Sequence, residues 1–129
     1  MPRYGDKTQK ELENYLDNYT IPKWPNYFGP LAPAIDFGRN YATMRTKNLD
    51  PSDKFFHCKA NYEASTRGYY GSAVAKEISD RREIIDQKVK GYPLTDTLAD
   101  QRANFRGRYG AAMGKSLRET CPTNYKKYK

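Results

Sequence analysis

Histidine, tryptophan and cysteine are scarce in this sequence, with one, one and two of them in 129 residues. Neither cysteine sits in a CxxC or Cys/His pattern, so the common structural zinc sites are excluded and neither a metal nor a cofactor is expected. Cys58 and Cys121 either form one disulfide or stay free. No run approaches the roughly 18 apolar residues of a bilayer span, and no membrane span is expected. The opening residues, MPRYGDKTQKEL, lack the apolar stretch of a signal peptide, so export is expected to need another carrier. Alternating runs of Val, Ile or Thr are missing, as are Asn-Gly and Asp-Gly hairpin turns, which argues against strands. GxSxG, HExxH, kinase, P-loop and dinucleotide patterns are missing too. Hydrolysis by a pair of carboxylates stays open, because only spatial separation decides it.

Charge and tyrosine are plentiful. There are 23 Lys and Arg against 15 Asp and Glu, a net +8, and 12 tyrosines within a hydrophobic share of 37%. The basic excess favours a polyanionic partner such as nucleic acid, an anionic envelope polymer, a membrane surface or an acidic inhibitor protein. The plainer reading is that the charge serves solubility. The length fits one domain whose core leans on amphipathic tyrosines.

The pattern predicts an all-α fold, a single domain of about five helices with a Pro- and aromatic-rich N-terminal arm. The first helix is expected over 8–19, with Thr8 and Glu11 as a capping box. Four prolines, Pro22, Pro25, Pro30 and Pro33, then forbid regular helix, while Ile21, Trp24, Tyr27, Phe28 and Leu31 suit an arm wrapped over the body. Further helices are expected over about 34–48; over about 53–67, capped by Ser52 or Asp53 and ended at Gly68; over about 72–90, ended at Gly91; and from Thr95 or Asp96 to about Gly114. The lysine-rich NYKKYK tail is expected to fray. Residues 1–33 thus read as helix plus arm, 34–120 as a helical core and 121–129 as a basic tail.

Helical periodicity assigns the core faces. Val74, Ile78, Ile85 and Val89 form one stripe with Arg81 inside it. Leu98, Phe105, Tyr109, Ala112 and Met113 form another around Arg102. Arginines on a core face need carboxylate partners or must snorkel outward. The third helix is two-faced, with Phe55, Cys58 and Tyr62 opposite His57, Ala60, Asn61 and Ala64. The small residues there permit close approach of another backbone, as do Gly107, Gly110 and Gly114. His57 and Cys58 point to different faces, which disfavours thiol catalysis.

The stretches DFGRNYATMR, DKFFHCKANYEASTRG, AVAKEISDRREIIDQKVKGYP and ADQRANFRGRYG, over about 34–110, resemble a C-terminal domain of Rhs-type polymorphic toxins. Such modules are carried on large Rhs proteins and delivered to competing bacteria, often by type VI secretion. The resemblance implies an antibacterial effector with a cognate acidic immunity protein, delivered into a target bacterial cell. It implies no particular reaction.

The favoured function is a hydrolase acting on a polyanion, nucleic acid before peptidoglycan because arginines and aromatics interleave around Phe105 and Tyr109. His57 is the candidate acid–base residue, with Glu83, Asp86 and Asp100 as catalytic carboxylates. Asn61, Arg82, Asn104 and Arg108 are the candidate substrate-binding residues. The competing reading is a non-enzymatic basic nucleic-acid-binding or phage-type accessory protein. Membrane disruption is disfavoured, since no helix pairs a wide apolar face with a basic one.

Overall fold

A computed structural model describes residues 6–17, 19, 31–46, 53–67, 69–89, 91 and 94–123. The Pro-rich arm over 20–30, the expected caps at Ser52 and Gly68, and the NYKKYK tail lie outside the described residues.

The described residues form six helices and no strand: α1 (Asp6–Asp17), α2 (Leu31–Thr46), α3 (Asp53–Ser65), α4 (Tyr69–Lys88), α5 (Leu94–Ala112) and α6 (Leu117–Thr120). The all-α expectation holds. Thr8, the expected cap, sits inside α1, which starts two residues earlier. The second helix starts at Leu31 and so takes in Pro33. A proline in the first turn removes no intrahelical bond, because the first four N–H groups have no partner within the helix.

The helix ends are set by local chemistry. Gly91 and Gly114 take φ of 72° and 73°, the left-handed region in which a side chain would clash with the backbone. After α5, Gly114 N–H donates to Ala111 O at 3.1 Å and Lys115 N–H to Gly110 O at 2.9 Å, the paired bonds of a Schellman ending. The sequence Ser116-Leu117-Arg118-Glu119 then starts α6 with a capping box. The Ser116 hydroxyl accepts from Glu119 N–H at 3.2 Å while Glu119 reaches back to Ser116 N–H.

At the centre lies α3, buried on every side from Phe55 to Ser65. Helices α2, α4, α5 and α6 pack on it. From α1, Leu12 and Leu16, with Tyr15 and Tyr19, close the apolar cluster of Phe55, Phe56, Cys58, Tyr62, Ala103, Leu117 and Cys121. Glycine sets the interhelical distances. A Cβ at Gly107 would collide with Cys58 O on α3, one at Gly71 with Ala64 O, and one at Gly110 with the Thr120 side chain. Such close approach brings backbones together at little cost in buried side-chain area. A Cys58–Cys121 disulfide, with Cα atoms 5.7 Å apart, ties the segment after α6 to α3.

The expected core face of α5 is reversed, and that of α4 is turned partly outward. On α5 the inward residues are Ala99, Asp100, Ala103, Asn104, Gly107 and Gly110, whereas Leu98, Arg102, Phe105, Tyr109, Ala112 and, in the turn just after the helix, Met113 face outward. On α4, Gly71, Ala75, Ser79 and Glu83 are buried, Val74 and Ile78 only partly, and Ile85 and Val89 are exposed. Arg81 pairs at the surface with Glu77 at 2.6 Å. The physical reason is space: where backbones touch, only small or slender residues fit between them.

Candidate functional site

Two polar clusters flank α3. Toward α1 and α2 the helix presents Lys59 and Glu63, one turn apart and both essentially without solvent contact. Lys59 Nζ donates to Glu63 Oε2 at 3.1 Å and to Asn40 Oδ1 at 2.9 Å. The same ammonium lies 4.6 Å from the Tyr19 ring centre and 5.4 Å from that of Tyr15, so two aromatic faces help hold the charge. Glu63 also accepts from Asn40 Nδ2 at 2.5 Å, from Arg39 at 3.3 Å and from the Tyr19 hydroxyl. Burial, and after it the Glu63 carboxylate, push the Tyr19 hydroxyl well above the usual tyrosine range. Beside this cage, Arg67 grips the buried Asp36 through two nitrogens, at 2.8 and 2.9 Å.

Toward α4 and α5 the helix presents His57 and Asn61. His57 Nδ1 lies 3.2 Å from Asn104 Oδ1 and 3.6 Å from Glu83 Oε1. Asn61 Nδ2 donates to Asn104 Oδ1 at 3.0 Å, and Asn61 Oδ1 accepts from Ser79 at 3.1 Å and from Arg108 at 2.8 Å. Asn104 Nδ2 reaches Glu83 Oε1 at 3.5 Å. Asp100 completes the group and accepts from Lys54 at 3.0 Å. One ligand-type atom from each of His57, Glu83 and Asp100 lies within 4.8 Å of the others. At the rim, burial lowers the Arg108 guanidinium and Asp80 partly offsets this; the Lys76 hydrogen bond holds the Asp80 carboxyl below its usual range against the effect of burial.

Of the eight residues singled out from the sequence, six converge here: His57, Asn61, Glu83, Asp100, Asn104 and Arg108. Arg82 lies elsewhere, its guanidinium 5.6 Å from the Tyr41 ring centre beside a small pocket that His57 also borders. Asp86 belongs to α4, and its side chain lies outside the described residues. Sequence reasoning missed the Lys59–Glu63 cage altogether. The available signal was an i,i+4 pair of opposite charge in a helical stretch, residues 55–65, whose other residues carry no fixed charge.

Chemically, the His57 cluster holds acid–base groups but gives no access to a polymer. His57, Glu83 and Asp100 are 6%, 2% and 5% exposed, so a polynucleotide or glycan strand reaches them only if helices part. The outer surface offers a different chemistry. Leu98, Phe105, Tyr109 and Met113 are about half exposed or more, in one stripe along α5, with the Phe105 and Tyr109 rings stacked at 5.9 Å.

The sequence profile described as "Serum amyloid A protein" matches residues 28–125, most of the chain. This chain belongs to the serum amyloid A family. Among its relatives, the serum amyloid A-1 protein of Oryctolagus cuniculus is 42% identical over 89 residues, covering 68% of this chain and 72% of the relative. The serum amyloid A-3 protein of Mus musculus is 47% identical over 75 residues, covering 58% and 61%. The serum amyloid A-1 protein of Homo sapiens is 47% identical over 77 residues, covering 60% and 62%. The chain thus spans less than two thirds of the mouse and human relatives and somewhat more of the rabbit one.

Membership in the serum amyloid A family overturns the expected resemblance to Rhs-type toxin domains. With it go the antibacterial effector, type VI delivery into a bacterial cell, the hydrolase acting on nucleic acid or peptidoglycan, and the acidic immunity protein. The nucleic-acid-binding or phage-type alternative gains no support either, since the relatives are animal proteins named for serum. The stretches that suggested a toxin all lie inside the family match. They are the segments of α2, α3, α4 and α5 whose small and polar residues pack the interior. No helix among the described residues is long and apolar enough to cross a membrane.

Proposed function

We propose that this serum amyloid A family chain works by binding, outside the cell, to an apolar surface that carries anionic groups, with the outward face of α5 as the docking face. The observation that carries this reading is the exposed stripe of Leu98, Phe105, Tyr109 and Met113, with Arg102 among them. Contiguous exposed apolar side chains on a folded domain mark a surface that is covered in use. Guanidinium groups beside them and a net charge of +8 suit a phospholipid surface, where apolar side chains enter the headgroup boundary and the arginines meet phosphates. Two features support an extracellular setting. The relatives' names place those proteins in serum, and a disulfide such as Cys58–Cys121 persists in oxidising compartments.

In this reading the clustered polar residues serve the scaffold. His57, Asn61, Glu83, Asp100, Asn104 and Arg108 hold α4 and α5 against α3, and Arg82 braces α4 against Tyr41 of α2. Flotation with phosphatidylcholine vesicles, with and without anionic lipid, tests the docking face. The Phe105→Ser, Tyr109→Ser double variant is expected to bind about tenfold more weakly or worse, since burying one such ring contributes about 1.5–3 kcal/mol. Unchanged binding by a variant of native helicity would move the docking surface off α5.

A further inference from the structure

The His57 cluster has the donor set and spacing of a metal centre, although the cysteine and histidine spacing gave no hint of one. We propose that His57, Glu83 and Asp100 form a buried binding site for a divalent transition-metal ion of the zinc type at the junction of α3, α4 and α5. This inference is independent of the docking face on α5.

Four observations converge. The donors are one imidazole nitrogen and two carboxylate oxygens, each from a different helix, a mixed set suited to zinc with a fourth position for water. It is too small a set for calcium, which takes about 6–8 oxygens. Spacing agrees as well. Zinc bonds of about 2.0–2.1 Å place tetrahedral donors about 3.3–3.5 Å apart. His57 Nδ1 and Glu83 Oε1 are already 3.6 Å apart, and all three donors lie within 4.8 Å, a gap that carboxylate rotation closes.

Charge is the third observation. Two carboxylates are buried here, Asp100 with the ammonium of Lys54 3.0 Å from its Oδ1 and Glu83 with the His57 imidazole 3.6 Å from its Oε1. A dication between Glu83 and Asp100 lowers the cost of burying both. Finally, Asn104 lies against two of the donors, its Oδ1 3.2 Å from His57 Nδ1 and its Nδ2 3.5 Å from Glu83 Oε1, and the proton that Nδ1 shares with that oxygen leaves as the nitrogen takes the ion. The scaffold beneath is stiff, because Gly107 seats α5 directly on the α3 backbone at Cys58, the residue after His57.

The test is zinc titration of the chelator-treated full chain, followed by calorimetry, thermal melting and NMR of the imidazole ring. His57 is the chain's one histidine, so the ring signal has a single source. One zinc ion per chain is expected to bind, raising Tm and shifting the His57 ring resonances. Cobalt as a probe is expected to give the visible absorption of a four-coordinate N/O site. His57→Gln and Glu83→Gln are each expected to weaken zinc binding about tenfold or more, the scale seen when even outer-shell partners are lost. The absence of saturable zinc binding would overturn the site, as would equal affinity in a folded His57→Gln chain. Should these variants fail to fold, the wild-type ring decides: zinc binding that leaves the His57 resonances in place also overturns it.

Discussion

The interior around α3 and the outer face of α5 differ in a direction opposite to the usual one. Inside stand Lys59, Glu63, Asp36, Asn40, His57, Asn61, Glu83, Asp100 and Asn104, all nine-tenths or more buried. Outside, on a helix that helps cover them, stand Leu98, Phe105, Tyr109 and Met113. The inner groups persist because they bond to one another: a buried polar atom with a partner costs little, whereas one without costs a few kcal/mol. The outer groups stay exposed because α5 meets α3 through Gly107 and Ala103, leaving no room on that side for a ring. Close backbone packing thus sorts residues by size as much as by polarity.

The largest expected break in this contrast is at the cage. Glu63→Ala strands the Lys59 charge without solvent contact, and removing one partner of a buried pair typically costs about 3–5 kcal/mol. Chemical denaturation is expected to show a loss of that order. A double variant, Lys59→Met with Glu63→Leu, is expected to recover most of it; if it does not, the cage contributes more than mutual neutralisation.

Next in size is the contact that forces α5 to turn its rings outward. Gly107→Ala places a Cβ against the Cys58 carbonyl and is expected to cost about 1–3 kcal/mol as overpacking, read as a lowered Tm. A neutral outcome would mean that α5 can retreat from α3, which would remove the steric account of the inverted face.

Alkaline pH probes the same interior more gently. The Tyr19 hydroxyl, held protonated by burial and by Glu63, keeps a proton that the unfolded chain releases near pH 10. Its contribution is therefore complete below about pH 10 and is lost as pH rises beyond that. Denaturation between pH 8 and 11 is expected to show stability falling above about pH 10, less steeply in Tyr19→Phe. Equal slopes would take Tyr19 out of the cage energetics.

The smallest effect on stability belongs to the outer face. Phe105→Ser is expected to change unfolding free energy by no more than about 0.5 kcal/mol, as for surface positions generally. A larger loss would show that Phe105 packs on something that stabilises the fold.

Much of the site was legible from sequence because small and polar residues recur at helical spacing. His57 and Asn61, one turn apart, mark a face whose side chains can meet, and six of the eight residues singled out for their polarity lie together around it. The assignment of faces failed on α4 and α5 for a definite reason. Hydrophobic periodicity finds an amphipathic helix, but which face turns inward depends on how close the neighbouring backbone comes. Lys59, Glu63, Asp36 and Arg67 were passed over because charged residues are ordinarily solvated, and only packing from several helices at once makes them interior.

By itself the sequence determined that the chain is helical, where several helices lie and that the glycines of α5 invite close contact, because propensity, caps and the small size of a residue act over a few positions. Tertiary structure alone decided which faces are inside, that Cys58 meets Cys121, and that donors from three helices gather around His57. Those outcomes depend on distances between residues far apart in the chain, and helical periodicity says nothing about such distances.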